Sequence, residues 1–151
     1  MPLRARVALW GLGLCGAATL IITMWPTPVD RNVRDALHAA FDDLHERGIA
    51  TWFGYHELES LANVVMFMPL GFCVALLLSR RWRPLTLLLM PLASLLIEGA
   101  QLMLLPGRFA TFDDVVANSI GGWIGAALAV VALRVARARG AAPRMVTGAP
   151  R

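Results

Sequence analysis

Glu98 is the one ionisable side chain in the apolar stretch from Leu85 to Leu105, and Gln101 follows it on the same face of any helix. A carboxylate at that depth in hydrocarbon costs about 3 kcal/mol on insertion scales. It must therefore face protein, water or a cation, or stay protonated, because desolvation disfavours the charged form. Two other apolar stretches open with a polar pair at four-residue spacing, Glu59 with Asn63 and Asp114 with Asn118. Arg108 sits in the short connection Pro106-Gly107-Arg108-Phe109, and Asp113 precedes Asp114. Together these types suit a headgroup site. Arginine pairs with phosphate or carboxylate, and amides hydrogen-bond sugars or peptides. A desolvated carboxyl is also suited to general acid or base work. The competing reading is a buried network that ties helices together, with Arg108 neutralising an acid.

The elements that must position these residues are membrane spans. Hydrophobic residues make up 58% of the 151 and charged residues 16%, too apolar for an ordinary soluble domain of this length. The apolar residues fall into four blocks, Val7–Met24, Ser60–Leu78, Leu85–Leu105 and Val115–Leu133. Each is long enough to cross the ~30 Å hydrocarbon layer as a helix. The expected fold is all-α, a four-helix transmembrane bundle, occupying residues 1–139 as one domain, with 140–151 a disordered cytoplasmic tail. In such a bundle Glu59, Asn63, Glu98, Gln101, Arg108, Asp114 and Asn118 lie at one membrane level. Periodicity pairs them two by two; their convergence on one pocket is an expectation.

All 14 basic residues are arginine, and their placement sets a topology. Arg4 and Arg6, then Arg80, Arg81 and Arg83, then Arg134 to Arg151 lie in three segments without a single acid. By the positive-inside rule these segments are cytoplasmic, both termini included. Their basicity needs no nucleic-acid partner, since anionic inner-leaflet lipid suffices. The first span is expected to be retained, because Trp25-Pro26-Thr27-Pro28 offers no small-x-small cleavage site. Cys15 and Cys73 lie within spans and read as packing residues, so neither a disulfide nor a metal site is expected, nor any cofactor.

Between spans one and two an amphipathic outer helix is expected. Thr27 would cap it, Pro28 would take its first position and Asp30 would close a capping box. Val33, Leu37, Phe41 and Leu44 form its apolar face, and Gly48 ends it. Trp25, Trp52, Phe53 and Tyr55 form an outer aromatic belt, with Trp82 its inner counterpart. Pro69 and Pro91 should kink their helices unless a neighbour compensates. Gly121, Gly122 and Gly125, with Ala126 and Ala129, suit close helix packing, within one bundle or between copies.

At these residues the chain resembles a known family. Asn63-x5-Pro69-x-Gly71-Phe72, Glu98-x2-Gln101, Arg108, Asp114-Val115-x2-Asn118 and the glycines after it look like the VanZ-like membrane proteins. The resemblance runs from about Glu59 to Gly125. It implies a bacterial cytoplasmic-membrane protein with a polar site facing the outer leaflet, built from Asn63, Glu98, Gln101, Arg108, Asp114 and Asn118. The family's founding member is associated with resistance to the glycopeptide teicoplanin. Three functions compete. The first is a non-enzymatic envelope factor that binds membrane lipid or a lipid-linked cell-wall precursor. The second is an intramembrane enzyme on a lipid-linked phosphate or ester, with Glu98 as acid or base and Asp114 as its partner or a metal ligand. It is disfavoured because the spans hold no Ser-His or Cys-His arrangement, and His38, His45 and His56 all lie in the outer connection. The third is a small transporter in which Glu98 titrates.

Overall fold

The helices follow from the apolar blocks but outrun them. In the computed structural model, which describes residues 3–26, 32–105 and 111–140, five α-helices occur in chain order. They are α1 (Leu3–Thr23), α2 (Arg34–Glu46), α3 (Tyr55–Leu77), α4 (Thr86–Leu104) and α5 (Phe112–Gly140), with one 3-10 turn at Arg83–Leu85 before α4. All but α2 are long and apolar enough to cross a membrane. The fold is the expected all-α four-helix bundle with a shorter helix between the first two spans. Helix α3 begins five residues before the apolar block at Ser60, and α5 runs past Leu133 to Gly140. Hydrophobicity marks where a span meets lipid, whereas backbone hydrogen bonding carries the helix on through the polar turns at each end. Residues 141–151 lie outside the described residues.

The central contact is between α3 and α5, and glycine makes it. A Cβ at Gly71 would fall on the Gly122 carbonyl, one at Gly121 on the Val64 carbonyl and one at Gly125 on the Met68 carbonyl. Backbone therefore meets backbone at three points. Lipid is as apolar as leucine, so close packing rather than hydrophobic burial supplies the association energy here. Helix α1 packs on α3 and α4 packs on α5, with a light edge between α1 and α4. A small apolar core of Phe67, Leu70 and Met90 fills the middle, flanked by Leu12, Cys15 and Ile97. Both cysteines are free thiols; Cys15 packs against this core and Cys73 is buried beside Gly11 of α1.

Prolines are accommodated without interrupting either helix. Pro91 has no N–H to give the Leu87 carbonyl one turn back, and the Trp123 indole N–H donates to that carbonyl instead, at 3.2 Å. Pro69 lies within α3 with its ring exposed. At the C-terminal end of α3, Arg83 Nε donates to the Ala75 carbonyl, one of the last turn's orphan acceptors.

The outer helix begins later than the capping pattern suggests. Helix α2 starts at Arg34 after Val33, which supplies no side-chain cap, and the Thr27-Pro28-Asp30 pattern lies outside the described residues. Its Leu37, Phe41 and Leu44 are half-buried as expected, whereas Val33 is exposed. The apolar face leans on the start of α3. His38 and Tyr55 rings lie 4.5 Å apart, Phe41 meets Phe53 edge-on at 5.9 Å, and Arg34 Nε donates to the Tyr55 hydroxyl. Gly48 ends the helix with φ +73°, a conformation that side-chain-bearing residues rarely adopt.

The glycine contact makes a direct prediction. Gly125→Ala should lower unfolding free energy in detergent by about 1–3 kcal/mol, the usual cost of overpacking. Gly13→Ala, where a Cβ meets nothing within 4 Å, should be neutral or raise it by up to about 1 kcal/mol. Circular dichroism during titration with sodium dodecyl sulfate measures both, and equal effects would contradict the close approach.

Candidate functional site

Helix α4 is turned inside out relative to a soluble helix. Its buried residues are Thr86, Met90, Ser94, Glu98 and Gln101, one stripe at spacings of four, four, four and three. Four of these five are polar. The leucines face outward instead, as at Leu88, 70% exposed, and Leu96, 66% exposed. Lipid solvates leucine side chains at no cost but cannot satisfy polar groups, so the stripe must find its partners inside the bundle.

Bonds to the stripe come from α1 and α5, and a further bond between α3 and α5 lies beside it. Asn118 on α5 is 2% exposed, and its Nδ2 donates to Ser94 Oγ at 2.9 Å. Gln101 Nε2 donates to the Thr23 carbonyl at the end of α1, at 2.7 Å. Asn63 on α3 donates through Nδ2 to Asp114 Oδ1 on α5, again at 2.7 Å. Glu98 stands between Ser94 and Gln101 on the same stripe, one turn from each, and is 8% exposed. The result is a polar seam joining α1, α3, α4 and α5 near the end of the bundle where α1 finishes and α5 begins.

Asp114 has two structural duties. Thr111 Oγ1 accepts the Asp114 backbone N–H at 3.2 Å and donates to Asp114 Oδ2 at 2.7 Å. The first bond is half of a capping box, with the Thr111 hydroxyl rather than its backbone N–H meeting the carboxylate in return, and the carboxylate also suits the positive end of the helix dipole. With Oδ2 in the cap and Oδ1 on Asn63, Asp114 fixes the start of α5 against α3.

Of the residues expected to converge, Asn63, Glu98, Gln101, Asp114 and Asn118 belong to the seam. Glu59 lies one turn above Asn63 on α3 and is exposed at the rim. Arg108 lies outside the described residues. The histidines are peripheral: His56 Nε2 lies 3.6 Å from Asp113 Oδ2, both well exposed, and His45 Nε2 is 3.1 Å from the Phe53 carbonyl. Among the described residues no group of three or more His, Cys, Asp or Glu is placed to hold a metal ion. Sequence reasoning missed Ser94 and Thr111. Both carried a signal: Ser94 precedes Glu98 by one turn, and Thr111-x-x-Asp114 before an apolar run is a capping-box pattern.

The hydrogen-bond inventory shows what remains for a ligand. The amide donors found are used between helices, and Asn118 Oδ1 is buried with no partner among the described residues. An unpaired buried acceptor costs about 1–3 kcal/mol, which a donor-bearing group would recover. Within the seam the unpartnered buried atom found is therefore an acceptor, Asn118 Oδ1.

Fold and seam define a multi-pass helical membrane protein with a buried polar layer. The chain belongs to the VanZ/LLP1 family, whose model matches residues 12–133. That match takes in most of α1 and all of α2, beyond the Glu59–Gly125 stretch that carries the motif resemblance. No curated protein and no solved structure matches the chain.

A double-mutant cycle isolates the tie between α3 and α5. Asn63→Ala, Asp114→Ala and the double variant should give a coupling energy of about 0.6 kcal/mol, with an upper bound near ~1.7, as for other interhelical hydrogen bonds in membranes. Additive effects in the detergent unfolding assay would mean that the two side chains do not bond in the folded protein.

Proposed function

We propose that this VanZ-type protein is a non-enzymatic envelope factor. Its seam receives the donor-bearing headgroup of a membrane lipid or lipid-linked cell-wall precursor at the outer leaflet, and its binding alters glycopeptide susceptibility. The observation that carries this reading is Glu98, a carboxyl buried in the stripe of α4. Interhelical ties alone are met more cheaply by uncharged amides, and three amides already serve them. The unpartnered Asn118 Oδ1 suits a hydroxyl, amide or ammonium group of a sugar or peptide. Charge supports the orientation: the acid-free arginine segments flank the opposite end of every span, which favours an outward-facing seam and cytoplasmic termini. In this reading Arg108, in the connection before α5, contacts the phosphate or carboxylate of the same ligand.

One observation favours a second reading. His56 and Asp113 pair on the rim above the seam, an arrangement able to move a proton. An intramembrane enzyme acting on a lipid-linked phosphate or ester would combine that pair with Glu98.

Native mass spectrometry of the purified protein tests the first reading. Wild type should retain a lipid with a polar headgroup, and Glu98→Gln and Arg108→Ala should lower its occupancy about tenfold. Identical lipid-free spectra, with thermal stability reduced in both variants, would make the seam purely structural. Turnover of a polyprenyl-phosphate substrate that disappears in Glu98→Gln and in His56→Ala would replace binding with catalysis.

A further inference from the structure

At the end of the bundle opposite the seam, a groove of about 480 Å³ opens between α4 and α5. Arg80, Arg83, Arg134 and Arg137 stand along it. Arg83 lies close enough to feel the like charges of Arg137, Arg4 and Arg80, and no acid is present in these segments to neutralise them. Beyond the arginines the wall turns apolar. Ala126, Ala127 and Val130 form the α5 side, and their small side chains are what leave the space open. The groove reaches Trp123, whose indole bond to Leu87 joins the two walls. Arg134 and Trp123 are eleven residues apart on α5, about 16 Å of helix, close to the ~15 Å hydrocarbon depth of one leaflet.

We infer that this groove is a binding site for one anionic phospholipid, with its phosphate against the four guanidinium groups and one acyl chain along the alanine wall toward Trp123. A guanidinium fork matches phosphate oxygens, and four unneutralised cations at one mouth exceed what a neutral headgroup would use. The apolar length beneath them selects a lipid over a free anion. Positive-inside topology alone would scatter arginines over the membrane surface. Here a subset is gathered at a groove, whereas neighbouring Arg81 lies over the Trp82 ring at 4.9 Å and does not line it. Thr86, on the α4 wall one turn inside Arg83, adds a buried hydroxyl without a hydrogen-bond partner among the described residues.

Delipidated protein in neutral detergent, titrated with phosphatidylglycerol or with phosphatidylcholine of the same chains and read by native mass spectrometry, tests the assignment. Wild type should show one saturable phosphatidylglycerol adduct and bind phosphatidylcholine at least about tenfold more weakly. Arg134→Gln with Arg137→Gln should weaken phosphatidylglycerol about tenfold to thirtyfold, since each surface arginine contributes several-fold. Ala127→Leu, which keeps every arginine and fills the groove, should do the same, with unchanged thermal stability in neutral detergent as the folding control. Arg81→Gln should bind as wild type does. Equal losses in Arg81→Gln, an unsaturating series of adducts, or wild-type binding by Ala127→Leu would reduce the arginines to diffuse surface charge. Displacement of the lipid by equimolar inorganic phosphate would make this an anion site without a chain, and would also overturn the proposal.

Discussion

Backbone contact between α3 and α5 is the constraint on which the other arrangements depend. Gly71, Gly121 and Gly125 let the two helices approach until carbonyls occupy the space a Cβ would need. Only at that separation do short side chains bridge the pair, and Asn63 reaches Asp114 at 2.7 Å for this reason. Gly122 extends the effect to α4, because a side chain there would displace Met90, the one apolar residue in the buried stripe of α4. The polar seam is thus downstream of a packing decision made by residues without side chains. A small bundle in lipid has few alternatives, since burying leucine there gains almost nothing over leaving it in the bilayer.

Within that frame the seam ties the helices together through named hydrogen bonds. Asn63, Gln101 and Asn118 each place an amide donor on another helix, and Asp114 spends one oxygen on α3 and the other on its own cap. These bonds account for four of the polar residues as structure. Glu98 adds a carboxyl to this buried set, the most costly of the common polar residues at membrane depth. The unpartnered Asn118 acceptor lies on the same side of the bundle, facing α4. In the proposed reading the ligand meets the seam at the Asn118 acceptor beside Glu98.

Spans, amphipathic connection and the helical faces of the polar pairs were legible in the sequence because each is a one-dimensional property, a run length or a period. Helix ends were less so: Tyr55 and Gly140 lie beyond the apolar blocks because hydrogen bonding, not hydropathy, ends a helix. Cross-helix partners were legible only in part: Asn63 and Asp114 were expected in one cluster and do bond, but the other pairings were not foreseen. Gln101 finds a backbone carbonyl on α1, and Asn118 finds Ser94 rather than another member of the expected cluster. Such pairings depend on the rotation and separation of helices, which glycine positions hint at but do not specify. The start of α5 is the opposite case, since Thr111-x-x-Asp114 has a local pattern with a local cause.

The two ends of the bundle are chemically complementary, and α5 is the element that links them. Its first turns carry Asp114 and Asn118, and its last carry Arg134 and Arg137, separated by the glycine and alanine run that forms the α3 contact on one side and the groove wall on the other. Small residues serve two purposes in that run. Gly121 and Gly125 admit a neighbouring helix, whereas Ala126 and Ala127 face α4 and leave a space that no helix fills. Trp123 sits where these purposes meet, closing the groove while replacing the hydrogen bond that Pro91 removes from α4. The register of α4 and α5 that brings Trp123 to the Leu87 carbonyl also sets Ser94 opposite Asn118. A device at one end and a groove at the other share one helix pairing, so a ligand that strengthens the α4–α5 contact at either end stabilises the geometry at the other.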